Sequence, residues 1–445
     1  MRALTLRRCG PFASRRATQR ADVHALLAAC LVLCTTQLSA QAIAITGAKI
    51  YTVSGPVIER GTVLMRDGRI IGVGADVVIP ADAQRIDATG KVVTPGLVNA
   101  ATILGLMEVG AVRSTRDASA RGKDGIAAAF MPWEGLNPAS VMLGPARDAG
   151  ITSAVIIPSG GLIAGQAAVI HIVPGSLSDM LLRAPVAMVA ALGPDGALNG
   201  GPRAETIMRF REVLSDAKVY RTRRAEFERA QTRPFAAGRL DLEALFPVLD
   251  GRIPMVIQAD KASDIESALA LAKEFGFKLV IGGGAEAWQV ADRLAAGKVP
   301  VLTGAMNNIP GSFTQLGARQ ENAGLLAKAG VRVALVGNAG GGDEEAFNVR
   351  NIRYEAGNAV AYGMDWNAAL RAITLTPAEI FGVADRVGSL QAGKVADVVI
   401  WSGDPFEFAS QPERVFVRGR QEAASSRQDL LEQRYKSLPP NYRQP

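Results

Sequence analysis

The stretch TPGLVNAATILGL, from Thr94 to Leu106, decides how the rest of this 445-residue sequence is interpreted. A Pro-Gly step leads into a mostly apolar run. Pro and Gly mark a turn, and a short apolar run after such a turn predicts a buried strand. We therefore expect this stretch to lead from a peripheral segment into the first strand of an internal sheet.

Both ends of the chain show the pattern of small β-domains. Residues 43–93 contain short strand patterns, among them a hairpin over residues 61–74 in which Asp67-Gly68 suits a type I′ turn. Residues 387–405 read VGSLQAGKVADVVIWSGDP, and another short strand pattern follows them. Each end therefore predicts short strands that are connected by tight turns.

Between these ends, strand patterns alternate with helical patterns, which predicts a parallel α/β fold. Ser263 is expected to cap a helix that ends at Phe275. Residues 205–233 predict a long, charged outer helix or helix pair, with a partner-binding surface as the alternative. The candidate strands number eight, as a (β/α)8 TIM barrel requires: 97–104, 151–158, 167–173, 186–192, 254–259, 278–281, 299–302 and 331–336.

Two separated motifs resemble those of the amidohydrolase superfamily, in particular its exported, imidazolonepropionase-like members. The turn at Thr94 matches T-P-G-hydrophobic-hydrophobic-D-A, and Gly388 to Asp397 match G-S-L-x-x-G-K-x-A-D. The resemblance implies a TIM barrel beside a composite β-sandwich built from both chain ends. The implied divisions are 43–95 and 381–421 for the sandwich, 96–380 for the barrel and 422–445 for a polar tail.

In that family a catalytic divalent metal is held by His-x-His on the first strand, histidines on the fifth and sixth strands, and an Asp on the eighth. Here the His-x-His positions are Ala101 and Ile103, and Asn99 replaces the preceding Asp. Gln258 and Asn338 stand at the matching places on the fifth and eighth strands. Amides form hydrogen bonds but are neither imidazole or carboxylate ligands of Zn²⁺ nor proton acceptors. We therefore expect no metal cofactor, with Asn99, Gln258 and Asn338 in a binding pocket.

Few other residues offer chemistry. His171 is the only histidine after residue 24 and is expected to be structural, because it lies within a strand pattern. Asp260 and Glu286 lie near predicted strand ends and are the remaining candidates for acid–base catalysis. With the carboxylates at 343–345 they leave open a Mg²⁺ or Ca²⁺ site built from oxygen ligands. Gln166 ends a Gly-rich loop that is a further candidate for the pocket.

Charge and cysteine are concentrated in the first 42 residues. This segment holds six arginines, one acidic residue and all three cysteines, so the remainder is nearly neutral and predicts no nucleic-acid partner. Its basic start, its apolar run from Ala25 to Cys34 and its small residues around Ala40 and Ala42 predict an export signal and a periplasmic protein. Membrane attachment is expected only if Cys30 is lipidated.

Two functions follow from these observations. The first is a non-catalytic protein that binds a small molecule or a partner, either as a homo-oligomer or paired with an active homologue. The second is a hydrolase of carbon–nitrogen bonds that works through an altered or metal-independent site.

Overall fold

The computed structural model describes residues 41–120, 122–197, 201–306, 308–337, 344–421 and 427–436. Residues 1–40 of the predicted export signal, with Cys30, lie outside the described residues, and so does Asn338. Within the described ranges, no helix combines the length and the apolar character that crossing a membrane requires.

The strands of the described residues are numbered in chain order. They are β1 (Ile43–Ile50), β2 (Ile58–Arg66), β3 (Arg69–Gly74), β4 (Gln84–Asp87), β5 (Val92–Pro95), β6 (Leu97–Thr102), β7 (Ile151–Ile156), β8 (Ile163–His171), β9 (Leu181–Ala191), β10 (Met255–Ala259), β11 (Leu279–Gly283), β12 (Val301–Thr303), β13 (Val333–Leu335), β14 (Val398–Trp401), β15 (Pro412–Val417) and β16 (Arg420–Gln421).

The α-helices are numbered in the same way. They are α1 (Leu143–Asp148), α2 (Leu177–Met180), α3 (Arg203–Thr222), α4 (Arg224–Glu228), α5 (Arg239–Ala244), α6 (Phe246–Leu249), α7 (Ala262–Phe275), α8 (Ala291–Ala296), α9 (Asn322–Lys328), α10 (Glu344–Phe347), α11 (Ile352–Ala361), α12 (Trp366–Ala372), α13 (Leu375–Ile380) and α14 (Arg427–Tyr435).

The two chain ends form one sheet, which confirms the composite β-domain. Its strand order is β16-β15-β14-β5-β1-β2-β3, with β4 beside β1. The C-terminal strand β14 pairs with the N-terminal strand β5 and so joins the two ends directly. Asp67 and Gly68, with φ angles of 51° and 75°, connect β2 to β3, which is the backbone that a type I′ turn needs.

The second sheet is the barrel, and all eight predicted strands are present in it. Strands β6 to β13 pair in sequential order, and β13 also approaches β6. Small and branched apolar side chains fill its interior, among them Val155, Val169, Val256 and Val280. Larger side chains on the outside pack against the helices. The barrel fold is therefore confirmed.

One strand departs from the predicted all-parallel arrangement. β8 runs antiparallel to both β7 and β9, whereas the other neighbouring pairs are parallel. The connection from β7 to β8 is the short segment 157–162, in which Gly160 and Gly161 have φ angles of 90° and 75°. A parallel neighbour would need a crossover of about a dozen residues or more, so this short turn can only reverse the chain.

Two helix predictions can be compared with the structure. The charged segment 205–233 forms the pair α3 and α4, and α3 buries Phe210, Leu214 and Tyr220 against the core. The expected cap at Ser263 is wrong. Ser263 lies within the first turn of α7, and its hydroxyl accepts a hydrogen bond from Arg203.

The motif from Gly388 to Asp397 forms hydrogen bonds within the β-domain, and its Asp397 forms one with His171 of barrel strand β8. The Lys394 ammonium is buried and donates a 2.6 Å hydrogen bond to the Ser389 hydroxyl. The backbone of Gly393 and of Ala396 bonds the β2–β3 hairpin. The motif is therefore a packing feature, which explains why it identifies the fold without reporting on chemistry.

Lys394 predicts a pH dependence of stability. Burial lowers the pKa of its ammonium below the ordinary value, against smaller opposing effects of Asp385 and Glu379. The unfolded chain therefore binds this proton more tightly, and the free energy of unfolding should rise with pH until the ordinary lysine pKa of about 10.4 is passed. Urea unfolding between pH 8 and 10.5 should show this rise in the native protein and not in Lys394→Met; parallel curves would contradict it.

Candidate active site at the mouth of the barrel

A cavity of about 820 Å³ lies at the end of the barrel where the parallel strands terminate. All eight strands, or the residues directly after them, contribute to its wall: Ala101, Ile157, Ala164, Ala191, Gln258, Gly282, Thr303 and Val336. β8 contributes from its beginning because it runs in the opposite direction. This end of a TIM barrel is where active sites form, so the cavity is the candidate site.

Gln258 is the amide that projects into this cavity from the end of β10. It pairs across the sheet with Gly282, and a Cβ at residue 282 would lie 2.4 Å from the Gln258 Oε1 atom. Only glycine leaves space for the amide to lean over β11. No hydrogen bond of the Gln258 side chain is found among the described residues, so its polar atoms face the cavity.

Asp260 follows Gln258 and is the only ionisable side chain among the described residues that line the cavity. Its Oδ1 accepts a hydrogen bond from the Ala285 amide (3.2 Å), and its Oδ2 accepts one from Gln315 Nε2 (2.8 Å). Gly283 makes room for it, since a Cβ there would lie 2.5 Å from Oδ1. The carboxylate is thus held in a fixed orientation beside Gln258.

Glu286, the other predicted acid–base candidate, is placed differently. It is 6% exposed and does not line the cavity. Its Oε2 accepts from the amide of Ala262, the first residue of α7, at 3.0 Å, and its Oε1 accepts from the Gly317 amide at 2.9 Å. A carboxylate at a helix N-terminus satisfies a free N–H group and favours the helix dipole. Glu286 therefore caps α7, the task that the sequence suggested for Ser263.

The described residues of the loop 304–321, which are 304–306 and 308–321, close one side of the cavity and are anchored by the buried Glu355 and Glu286 and by the half-buried Trp288. Glu355 on α11 accepts hydrogen bonds from the amides of Ala305 and Met306, and the Trp288 indole donates to the Gly317 carbonyl. Together with the contacts of Glu286 and Gln315, these bonds fix both ends of the loop. Two of its apolar side chains face solvent: Phe313 is 86% exposed and Leu316 60%.

The three positions that correspond to the family's first-strand motif, residues 99, 101 and 103, lie in different environments. Ala101 lines the cavity, but Ile103 packs in the outer core between barrel and helices. Asn99 is fully buried below the cavity wall, where its Oδ1 accepts from the Ala101 amide at 3.1 Å. Its Nδ2 atom has no hydrogen-bond partner among the described residues. Of these three positions, only Ala101 therefore meets a ligand in the cavity.

Gln166 does not line the cavity either. Its Nε2 donates to the Ala128 carbonyl at 3.2 Å and so ties β8 to the long connection after β6. The Gly-rich loop that precedes it does reach the mouth, where Ser159, Gly160 and Gly161 are part of the wall.

His171 lies at the opposite end of the barrel, because the reversed β8 ends where β7 begins. It is fully buried, and Arg418 Nε donates to its Nδ1 at 3.2 Å. Nε2 therefore carries the proton and donates to Asp397 Oδ2 at 2.9 Å. The histidine joins the barrel to the β-domain, in agreement with a structural role.

Comparisons with known proteins agree with this architecture. The amidohydrolase family matches residues 261–421. The crystal structure of an amidohydrolase from Thermotoga maritima MSB8 is 29% identical, covers 85% of this chain and 99% of its own, and superposes with a TM-score of 0.76. The chain belongs to the amidohydrolase superfamily. An imidazolonepropionase from Acidiphilium cryptum is 25% identical over 79% of this chain and 89% of its own length.

Another relative of this chain is much longer than the chain itself. Amidohydrolase tasK from Hapsidospora irregularis is 25% identical over 82% of this chain. The matched region spans only 39% of that relative. Most of that relative therefore lies beyond the part that this chain matches.

The superfamily implies a divalent metal at the mouth, and the described residues do not fit one. At the strand ends, Gln258 offers a side-chain amide as a metal ligand, whereas Ala101 and Gly282 offer no side-chain ligand atom. Asp260 is the one carboxylate, and the described residues contain no group of three or more His, Cys, Asp or Glu placed to hold a metal. Zn²⁺ sites need three or four such ligands.

No sequence pattern predicted a role for Gln315, the side chain that orients Asp260. It lies in a loop without periodicity, 55 residues from its partner. The two meet because β10 and β12, which are separated by β11, end at the same rim of the barrel.

Proposed function

We propose that the cavity at the mouth of the barrel binds a small amide-like molecule and that the protein hydrolyses a carbon–nitrogen bond in it. One observation supports the binding site: the cavity brings the Gln258 amide and the Asp260 carboxylate together against apolar strand ends. Pockets for small molecules combine apolar walls with a few placed polar groups in this way. An amide side chain can both donate to and accept from a substrate amide.

Hydrolysis is supported by the kinship with amidohydrolases and imidazolonepropionases. In this proposal Asp260 accepts a proton from water as the water oxygen bonds the substrate carbonyl carbon. The carbon–nitrogen bond then breaks, and the proton passes to the leaving nitrogen. The hydrogen bonds from Ala285 and Gln315 orient the Asp260 carboxylate for this proton transfer.

Binding without hydrolysis is the second candidate function. The residue types at the strand ends favour it, because Ala101, Gln258 and Gly282 supply neither the histidines nor the carboxylates of a metal site. In that case the amide and the carboxylate would only hold the ligand.

Turnover of cyclic amides, such as an imidazolone propionate, by the purified full chain distinguishes the two candidates. Asp260→Asn should lower kcat/KM by about 100-fold or more, the usual effect of losing a general base. Its substrate Kd should change by less than about threefold, equivalent to ~0.7 kcal/mol. Dialysis against a chelator should leave the native activity unchanged.

Asp82→Asn, on the exposed β-domain surface, is the control and should be silent. Ligand binding without any turnover would establish the second candidate. A native protein that neither binds nor turns over such compounds would contradict the proposal as a whole.

A further inference from the structure

A second cavity, of about 720 Å³, opens at the opposite end of the barrel from the mouth. It lies at the start of strands β9 to β13, beside the end of α13. Six basic side chains surround it: Arg183, Arg252, Lys273, Lys278, Lys298 and Arg332. We call this feature the basic cavity.

The barrel topology explains why these charges meet. Lys278 and Arg332 directly precede β11 and β13, Lys298 lies shortly before β12, and Arg252 lies shortly before β10. Arg183 is near the start of β9. Neighbouring parallel strands begin at the same edge of a barrel, so residues that are far apart in sequence form one rim.

Most of these cations lack a compensating charge. No ion pair of Lys273, Lys278, Lys298 or Arg332 is found among the described residues. Arg252 contacts Asp250 at 3.3 Å, and Arg183 donates to the Gly382 carbonyl.

Glu379 is the one acidic residue that lines the basic cavity in the described part of the chain. It is already paired with Arg371 at 2.6 Å. The rim is therefore strongly positive, and like charges around a concave surface repel each other unless an anion is present.

The floor of the basic cavity is apolar. Phe277, Ile380 and Phe381 are buried there, and Leu269 is partly buried beside them. An inorganic ion would satisfy the rim but make no contact with the apolar surface that the floor still presents to the cavity. A ligand with an apolar body and an anionic head would cover both.

We propose that the basic cavity binds a small organic phosphate, with its apolar body on the floor and its phosphate among the rim cations. A phosphate carries up to two charges and accepts bidentate hydrogen bonds from Arg332 or Arg252 and point-charge contacts from the lysines. The volume fits such a molecule, since ligand pockets span about 300–1,000 Å³. This site is separate from the mouth and independent of the reaction proposed there.

Calorimetric titration of the full chain with 1-naphthyl phosphate tests the proposal. Inorganic phosphate supplies the charge alone and 1-naphthol the apolar body alone, and each should bind at least about tenfold more weakly, which is ~1.4 kcal/mol. The triple variant Lys278→Met, Lys298→Met, Arg332→Met should lose about 20-fold in affinity, which is ~1.8 kcal/mol shared among the three charges removed. All three side chains are exposed, so the fold should be kept, and a thermal melt verifies this.

Two matched controls locate the effect. Lys123→Met removes another exposed lysine that lies away from the basic cavity, and it should change the affinity by no more than about twofold, or ~0.4 kcal/mol. Asp260→Asn, at the mouth, should not change it either. Raising the salt concentration should weaken binding by the native protein more than by the triple variant. Equal affinity of native and triple variant, or an equal loss in Lys123→Met, would overturn the proposal.

Discussion

Replacing His171 by alanine is expected to lower the free energy of unfolding by about 3 kcal/mol, in the range seen when one partner of a buried polar pair is removed. The side chain is fully buried and bonds both Asp397 Oδ2 and Arg418 Nε. Its loss leaves a carboxylate that is 4% exposed without its ring partner, as well as a cavity. The loss should appear as a lower urea midpoint.

A double-mutant cycle isolates this contact from the cavity. His171→Ala and Asp397→Ala should together cost less than the sum of the single changes, because each removes the same hydrogen bond. Asp82→Asn weakens an exposed ion pair with Arg66 and should change stability by less than about 1 kcal/mol. Additive single and double variants would show that the His171–Asp397 bond contributes nothing.

Replacing Glu286 by alanine is expected to cost about 2–3 kcal/mol, since it leaves two backbone N–H groups without an acceptor. These are the amides of Ala262, at the start of α7, and of Gly317, in the loop 304–321. The carboxylate also loses its favourable position at the helix N-terminus. Urea unfolding measures the loss, and protease sensitivity of the loop should increase.

The variant Glu286→Gln makes this prediction sharper. Glutamine keeps one oxygen acceptor but turns an NH₂ group toward the other backbone amide, so its stability should lie between those of the native protein and Glu286→Ala. A catalytic Glu286 would give the opposite pattern: normal stability in both variants and lost turnover in both. That result would return Glu286 to the role that its position after a strand suggested.

Much of the fold could be predicted because its signals are local. The Pro-Gly step at Thr94, the Asp67-Gly68 turn and the run of apolar strands are visible in short windows, and each element formed where its pattern stood. The direction of β8 is a different case, because the expectation of an all-parallel sheet overlooked the length of a connection. The expected strands 151–158 and 167–173 leave only residues 159–166 between them, which is already too short for a parallel crossover and agrees with the reversal in the structure.

The candidate site could also be predicted only in part. Gln258 and Asp260 could be predicted because they lie at the end of β10 and directly after it, and the strand ends of a barrel meet at the mouth. Glu286 satisfied the same rule but turns away from the cavity to cap α7. Its orientation is set by the need of buried N–H groups for acceptors, which no sequence window reports.

The sequence by itself determined the family, the composite β-domain and the residue types at the strand ends, since these depend on short-range turn chemistry and periodicity. Only the tertiary structure decided which side chains face a cavity. It placed His171 with Asp397, 226 residues away, and gathered the cations of five strand starts around one cavity. The reason is physical: barrel closure brings distant strand ends to a common rim, and contacts across that rim leave no periodic trace along the chain.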